Sequence, residues 1–284
     1  MTDLLWVVAR GVGFALPLQA AGAALFAALF APLLPRSRSS IERLARRAAG
    51  VGLIAVAGQY LLEPARLAGE LSGVLDASLH RLVLSSSIGA ALGARFAGLA
   101  CLALGGQPAS ALSRGVTLAG IALVAGSFVL TGHTLAAPYG RLLAPLLIAH
   151  VLILAFWFGA LWPLHRVTRL ESLPQAAQVL AAFSARAVWL VPVIAVAGIA
   201  LAAALLPDFA ALRQPYGLLL LGKGVLFALL MGLAALNKLR LAPGMGRGEQ
   251  ACVRRLRGSL LAEYLLICAA LAVTAVMTGF FSPS

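Results

Sequence analysis

The hydrophobic pattern of the chain is a series of long apolar runs separated by short polar or basic segments. An α-helix needs about 20 mainly apolar residues to cross the hydrocarbon core of a bilayer. Runs that reach or approach this length lie at residues 12–34, 48–62, 87–105, 115–132, 141–164, 187–206, 216–236 and 259–281. The pattern predicts an all-α integral membrane protein, in which a bundle of about eight transmembrane helices forms a single domain over residues 1–284.

The segment between the second and third runs, residues 65–86, has a different pattern. It is less apolar and carries Glu70, Asp76, His80 and Arg81 among aliphatic residues. Polar side chains at this density are costly inside a bilayer. The segment therefore predicts a short amphipathic or re-entrant helix on the outer side of the membrane.

The composition supports the membrane assignment. Hydrophobic residues make up 62% of the chain and charged residues 11%, whereas charged residues alone are about 25% of a soluble protein. The mean hydropathy is +0.98. Cys101 and Cys268 fall within apolar runs and Cys252 in a basic loop, so neither a disulfide framework nor a CxxC metal site is indicated.

The charge distribution predicts an orientation. The net charge is +13, and fifteen of the 22 basic residues fall on one side of the eight-helix arrangement against five on the other. The basic side faces the cytoplasm in membrane proteins, which places both termini outside. No basic surface interleaved with aromatic residues remains, so nucleic-acid binding is not indicated. A cleavable signal peptide is not expected either, because the first run is too long and is followed by its positive charge.

Two histidines occur in the stretch at residues 131–164. His133 lies at the outer end of the fourth run, and His150 lies nine residues into the fifth, about 14 Å below its start at about 1.5 Å per residue. Imidazole is the commonest metal ligand and suits copper, zinc or haem iron. The alternative is that His150 hydrogen-bonds a neighbouring helix and His133 caps the fourth helix.

Two further residues are candidate metal ligands. Met277 lies about one turn from the outer end of the eighth run, and His80 lies on the amphipathic segment. Thioether and imidazole together favour copper, particularly the cuprous ion. Met277 could instead serve for packing, and His80 could be a solvated surface residue.

Four charged residues lie within apolar runs or at their edges: Glu63, Arg95, Lys223 and Glu263. Counting residues along the runs pairs Lys223 with Glu63, and Arg95 with Glu263, at similar depths. Such a buried charge network either locks the helices together or relays protons or ions. No phosphate-binding loop, dinucleotide fingerprint or Ser/His/Asp arrangement is present, so enzymatic activity is not predicted.

Three motifs in the second half resemble the copper resistance D (CopD) family. They are GH at Gly132-His133 followed by AHxxxxxxWFGALWPL at residues 149–164, the segment PYGLLLLGKGVLFALLMGLAALNKLRLAP at residues 215–243, and RGSLLAEYLL…SP at residues 257–283. In the second motif Lys223 corresponds to the lysine of the family and Asn237-Lys238 to its NR pair. Glu263 corresponds to the acidic residue of the last helix.

The resemblance implies an eight-helix protein of the bacterial inner membrane that binds copper and translocates it from the periplasmic side. It also implies a small periplasmic copper chaperone of the CopC type as a partner, besides the copper ion and the lipid bilayer. Only His133 and His150 match histidines of the family pattern. Two alternatives remain: a haem b protein that passes electrons between quinol and a periplasmic acceptor, and a structural assembly partner without any bound ion.

Overall fold

The computed structural model describes residues 2–105, 110–131, 140–206 and 208–281. Within these residues the chain forms ten α-helices and no β-strand. The helices are α1 (Thr2–Leu29), α2 (Arg38–Ala68), α3 (Ala77–Leu84), α4 (Ser87–Leu104), α5 (Ala111–Ser127), α6 (Gly140–Leu170), α7 (Leu173–Leu205), α8 (Pro215–Leu236), α9 (Ala242–Gly246) and α10 (Gln250–Phe280). Short 3-10 turns lie at Ala31–Leu33, Leu71–Leu75 and Ala210–Arg213, and a π-helix, Asn237–Leu241, joins α8 to α9.

Seven helices in the described part of the chain are long and apolar enough to cross a membrane, and α5 is an eighth, shorter apolar helix. The prediction of an all-α membrane protein with about eight spans is therefore confirmed. Several helices extend well beyond the apolar runs, and α2 begins at Arg38 rather than at residue 48. Hydropathy marks only the apolar part of a helix. The basic segment before the second run continues α2 into the membrane interface, because its arginine, leucine and alanine residues favour helix.

The amphipathic segment between the second and third runs is divided among three elements. Helix α2 continues to Ala68 and ends at Gly69, which has the left-handed φ of +77°. A 3-10 turn follows, and α3 begins after Asp76, whose Oδ1 accepts hydrogen bonds from the Ser78 N–H at 2.7 Å and the Leu79 N–H at 3.3 Å. Asp76 therefore caps α3, which packs against α2 and α4.

The cap at Asp76 predicts a local effect of pH. Hydrogen bonds from the Ser78 side chain and backbone lower the pKa of the Asp76 carboxyl. Stabilisation of α3 by the cap is therefore complete above the ordinary aspartate pKa of about 3.9 and is lost as pH falls through the lower folded value. We expect amide exchange in α3 to lose protection on acidification in the native protein but not in Asp76→Asn. Equal acid sensitivity in both proteins would contradict this.

Helix α1 lies at the centre of the bundle, in contact with α2, α4, α5, α6 and α10. It packs tightly on α6, where Gly22 faces Gly159 and the two backbones touch. Gln19 Nε2 donates to the Gly159 carbonyl at 3.2 Å beside this contact. Helices α7 and α8 lie at the periphery, since their apolar windows are only 17% and 6% buried inside the protein, against 61% for α1.

One end of the bundle carries most of the basic loops, and we call it the basic end. It contains the α1–α2 junction, the α6–α7 junction and the segment from the π-helix to the start of α10. The first two junctions are tied together by Glu171, whose Oε1 accepts from the Ser37 N–H at 2.7 Å and the Arg36 N–H at 3.0 Å. The positions of the helix ends thus follow the charge distribution of the sequence.

Candidate functional site

His150 lies on α6, half buried and facing α7. Its Nδ1 is 3.2 Å from the carbonyl oxygen of Ile194, and its ring passes beside Gly198, where a Cβ would be 3.4 Å from Cε1. A carbonyl can only accept a hydrogen bond, so Nδ1 carries the proton and Nε2 carries the lone pair. Lys223 on α8 is within electrostatic range of the ring.

His80 on α3 has both ring nitrogens engaged. Nε2 is 2.7 Å from the Val74 carbonyl oxygen and therefore donates, while Nδ1 lies 3.0 Å from the Tyr60 hydroxyl and accepts from it. The Tyr60 ring packs against the imidazole at 5.4 Å. This geometry favours a structural role for His80 over the entry ligand predicted from the sequence.

The remaining metal candidates are not brought together with His150 by any contact in the described part of the chain. His133 lies outside the described residues. Met277 is buried on α10, and its backbone carbonyl accepts from the Phe281 N–H at 3.3 Å. Among the described residues no group of three or more histidine, cysteine, aspartate or glutamate side chains could hold a metal ion.

The predicted pairing of Lys223 with Glu63 is wrong. Glu63, which is 2% exposed, accepts a hydrogen bond from Trp6 Nε1 at 3.0 Å and lies 4.0 Å from the Arg66 guanidinium. Lys223 is on α8, within electrostatic range of His150. Residue counting gives the depth of a side chain but not the direction in which it leaves its helix, and these two side chains leave in different directions.

The predicted pairing of Arg95 with Glu263 is also wrong. Arg95 on α4 donates from Nε to Ser127 Oγ at 3.1 Å and from a terminal nitrogen to the Gly13 carbonyl at 3.3 Å. Its guanidinium carbon lies 4.5 Å from the centre of the Phe128 ring and 5.4 Å from that of Phe14. Aromatic faces and neutral oxygens, rather than a carboxylate, surround this buried cation.

Glu263 on α10 forms a polar site that the sequence did not predict. Its Oε2 accepts from Trp157 Nε1 of α6 at 3.1 Å, and its Oε1 accepts a short hydrogen bond from Asn237 Nδ2 at the start of the π-helix. We refer to these three residues as the carboxylate site. An amide at the end of an apolar run, such as Asn237, is a sequence signal that could have indicated the site.

The carboxylate site borders a cavity of about 300 Å³ between α6, α7, α8 and α10. The cavity walls are largely apolar and come from residues such as Leu180, Phe183, Val191 and Met231. Its polar groups are the carboxylate site, Ser184 and Lys238. A π-helix is rare and is found frequently at functional sites, which makes this cavity a candidate site. The region around His150 is the other candidate site.

Two protein-family models match the chain. The model described as copper resistance protein D matches residues 177–277, and the model described as copper resistance protein D-like, N-terminal domain, matches residues 1–141. Together they span most of the chain and include Glu63, Asn237 and Glu263, whereas His150 and Trp157 lie between them. No curated protein and no solved structure matches the chain.

Proposed function

The chain belongs to the copper resistance protein D family, and on this premise we propose that it binds copper and translocates it across the bacterial inner membrane from the periplasmic side. In this proposal the basic end of the bundle faces the cytoplasm and both termini are periplasmic, because basic loops remain on the cytoplasmic side. The protein acts as a carrier of the ion and not as an enzyme.

The geometry of His150 is the observation that carries the proposal. Histidines that bind metals almost always donate their second N–H to a carbonyl or carboxylate, which fixes the ring and raises its basicity. The bond from Nδ1 to the Ile194 carbonyl does this, and no other described residue hydrogen-bonds the ring. Nε2 is thus presented as a neutral ligand inside the membrane, where cuprous or cupric copper would take it.

The ion enters from a small periplasmic copper chaperone of the CopC type near His133 and passes to His150 and Met277. Thioether and imidazole give the intermediate softness that suits copper in either oxidation state. His80 takes part only if the bond from Tyr60 opens, since its two nitrogens are otherwise engaged. The copper ion is therefore the cargo of the bundle.

Copper titration of purified variants tests the proposal. We expect His150→Ala to weaken copper binding more than tenfold, since loss of even a second-shell partner changes metal affinity by about 10–100-fold. His133→Ala should weaken binding as well. His165→Ala is the matched control, because this histidine stacks on Trp162 at the basic end, with ring centres 5.3 Å apart. Unchanged stoichiometry and affinity in both His133→Ala and His150→Ala would contradict the proposal. In an absorption spectrum of the purified protein, a Soret band would indicate haem instead.

A further inference from the structure

Glu263 is a buried carboxylate without a cationic partner in the described part of the chain. Its side chain is 3% exposed, and no lysine, arginine or histidine nitrogen among the described residues lies within 4.0 Å of it. An isolated charge in a low-dielectric interior is costly, and such a group is retained mainly where the charge is used. The carboxylate site therefore needs an explanation other than ion pairing.

The charged form of Glu263 is held by neutral donors alone. Trp157 Nε1–H donates to one carboxylate oxygen and Asn237 Nδ2–H to the other. An indole can only donate a hydrogen bond, whereas an amide can both donate and accept. The two partners are therefore not equivalent, and only Asn237 can respond to a change at the carboxylate.

Asn237 can serve both protonation states of Glu263. Its Oδ1 is buried and has no hydrogen-bond partner among the described residues, so the bond from Nδ2 to the carboxylate is the one side-chain hydrogen bond described that opposes rotation of the amide by half a turn. After that rotation Oδ1 would accept a hydrogen bond from protonated Glu263, while Trp157 would still donate to the other oxygen. The site can thus bind the carboxylate and the carboxylic acid with the same number of hydrogen bonds.

The cavity gives water a path to the carboxylate. Its volume of about 300 Å³ is large enough for water, and the carboxylate site, Ser184 and Lys238 supply the polar partners that such water needs. Lys238, the next residue after Asn237, is exposed and lines the same cavity at the basic end. A proton could therefore reach Glu263 from the aqueous phase at this end without crossing the apolar core of the bundle.

Most of the other titratable and charged groups on the elements around Glu263 have contacts elsewhere. His150 on α6 bonds the Ile194 carbonyl, and Lys223 on α8 is within electrostatic range of His150. Arg257 donates to Thr168 on α6, Arg186 donates to the Ala182 carbonyl within α7, His165 stacks on Trp162, and Tyr264 stacks on Phe158. Cys268 lies about one turn beyond Tyr264 on α10, and Lys238 lines the cavity. None of them forms an ion pair with Glu263.

We propose that Glu263 is a proton-exchanging carboxylate, switched by the Asn237 amide, and that its protonation is coupled to movement of the transported ion. The exchange is simple protonation of the carboxylate, with the proton drawn from water in the cavity and returned to it. The coupling half of this proposal rests on the copper translocation proposed above. The protonation half does not, and the two can be tested separately.

Infrared difference spectroscopy between mildly acidic and mildly alkaline pH tests the protonation. We expect the C=O band of a protonated carboxylic acid in the native protein, and its absence in Glu263→Gln. Glu42→Gln is the matched control, because Glu42 is also buried but pairs with Arg38 at 2.9 Å, and it should keep the band. Asn237→Leu should shift the band to higher frequency by removing the acceptor. A band that survives in Glu263→Gln, or no pH-dependent band in the native protein, would overturn the proposal.

Proteoliposomes that contain a pH-sensitive dye test the coupling. A copper gradient should move protons in the native protein and in Glu42→Gln, whereas Glu263→Gln should bind copper with unchanged stoichiometry and move no protons. Copper movement without proton movement in the native protein would refute the coupling. Absence of any copper movement would refute the proposed function and with it the coupling, while the infrared result would still decide the protonation.

Discussion

Replacing Gly22 with alanine is expected to prevent α1 and α6 from packing. A Cβ at Gly22 would lie 2.7 Å from both the Ala155 carbonyl carbon and the Gly159 Cα, and real Cβ atoms essentially never come this close to another atom. The atoms that it would meet belong to the backbone, so no flexible side chain can move aside. Because small residues are what allow membrane helices to approach closely, the added methyl must separate the two helices.

The expected effect is loss of most of the stability of the bundle. Overpacking a tight core costs about 1–3 kcal/mol and occasionally more, and here the displaced element is the central helix, which contacts five others. Thermal unfolding in detergent should show a much lower midpoint for Gly22→Ala, together with weaker copper binding, because α6 carries His150. Gly159→Ala should behave in the same way, since its Cβ would lie 2.7 Å from the Ala23 nitrogen.

Gly50→Ala on α2 is the matched control. It also lies inside a membrane helix, but a Cβ at this position would meet nothing within 4 Å. Alanine favours helix over glycine by about 0.5–1 kcal/mol, so this variant should unfold at the same temperature as the native protein or higher. Equal midpoints for Gly22→Ala and Gly50→Ala would show that the α1–α6 contact is looser than the structure has it.

The sequence predicted the helices well because the signal for a membrane span is local. A run of apolar residues is sufficient to indicate a span, and every predicted run in the described part of the chain falls on a helix. The exact ends were not predictable in the same way, because α2 passes through its basic segment without a residue that would stop a helix. The π-helix at Asn237 has no recognisable sequence signal of this kind either.

The partners of the buried charges could not be predicted, because they depend on which faces of which helices meet. Arg95 and Glu263 were paired on depth, but one side chain turns towards Phe128 and the other towards Trp157. Three of the four charged candidates, Glu63, Arg95 and Glu263, are buried, whereas Lys223 is half buried on the peripheral helix α8. What the structure adds is the set of aromatic and amide groups that take the place of counter-ions.

Near the end of the bundle opposite the basic end, arginine side chains alternate with aromatic rings in a row that we call the ladder. Guanidinium groups and rings alternate along it in the order Arg66, Trp6, Arg10, Phe14, Arg95 and Phe128, with distances from guanidinium carbon to ring centre of 4.1, 4.8, 5.5, 5.4 and 4.5 Å. Glu63 is the one carboxylate in contact with this ladder in the described part of the chain, through Trp6 and Arg66. Its charge therefore offsets part of a positive array that is otherwise in contact with ring faces and neutral oxygens.

Replacing Glu63 with glutamine is expected to destabilise the bundle strongly. Glutamine can still accept the hydrogen bond from Trp6, so the change removes mainly the negative charge. Arg66 is 36% exposed and lies 4.0 Å from Glu63, so this pair by itself contributes at most about 1 kcal/mol. The larger effect comes from Arg10, which is buried and within electrostatic range of both Glu63 and Arg66. A buried charge that loses its compensating partner costs about 3–5 kcal/mol.

A double substitution separates charge imbalance from lost packing. If uncompensated positive charge is the cause, Arg10→Met together with Glu63→Gln should unfold at a higher temperature than Glu63→Gln alone, because methionine fills the space without the charge. Glu42→Gln on the same helix is the control, since its partner Arg38 is 40% exposed and such pairs are worth at most about 1 kcal/mol. A midpoint for Glu63→Gln as high as that for Glu42→Gln would mean that ring faces and neutral oxygens are sufficient to hold three arginines at this end of the bundle.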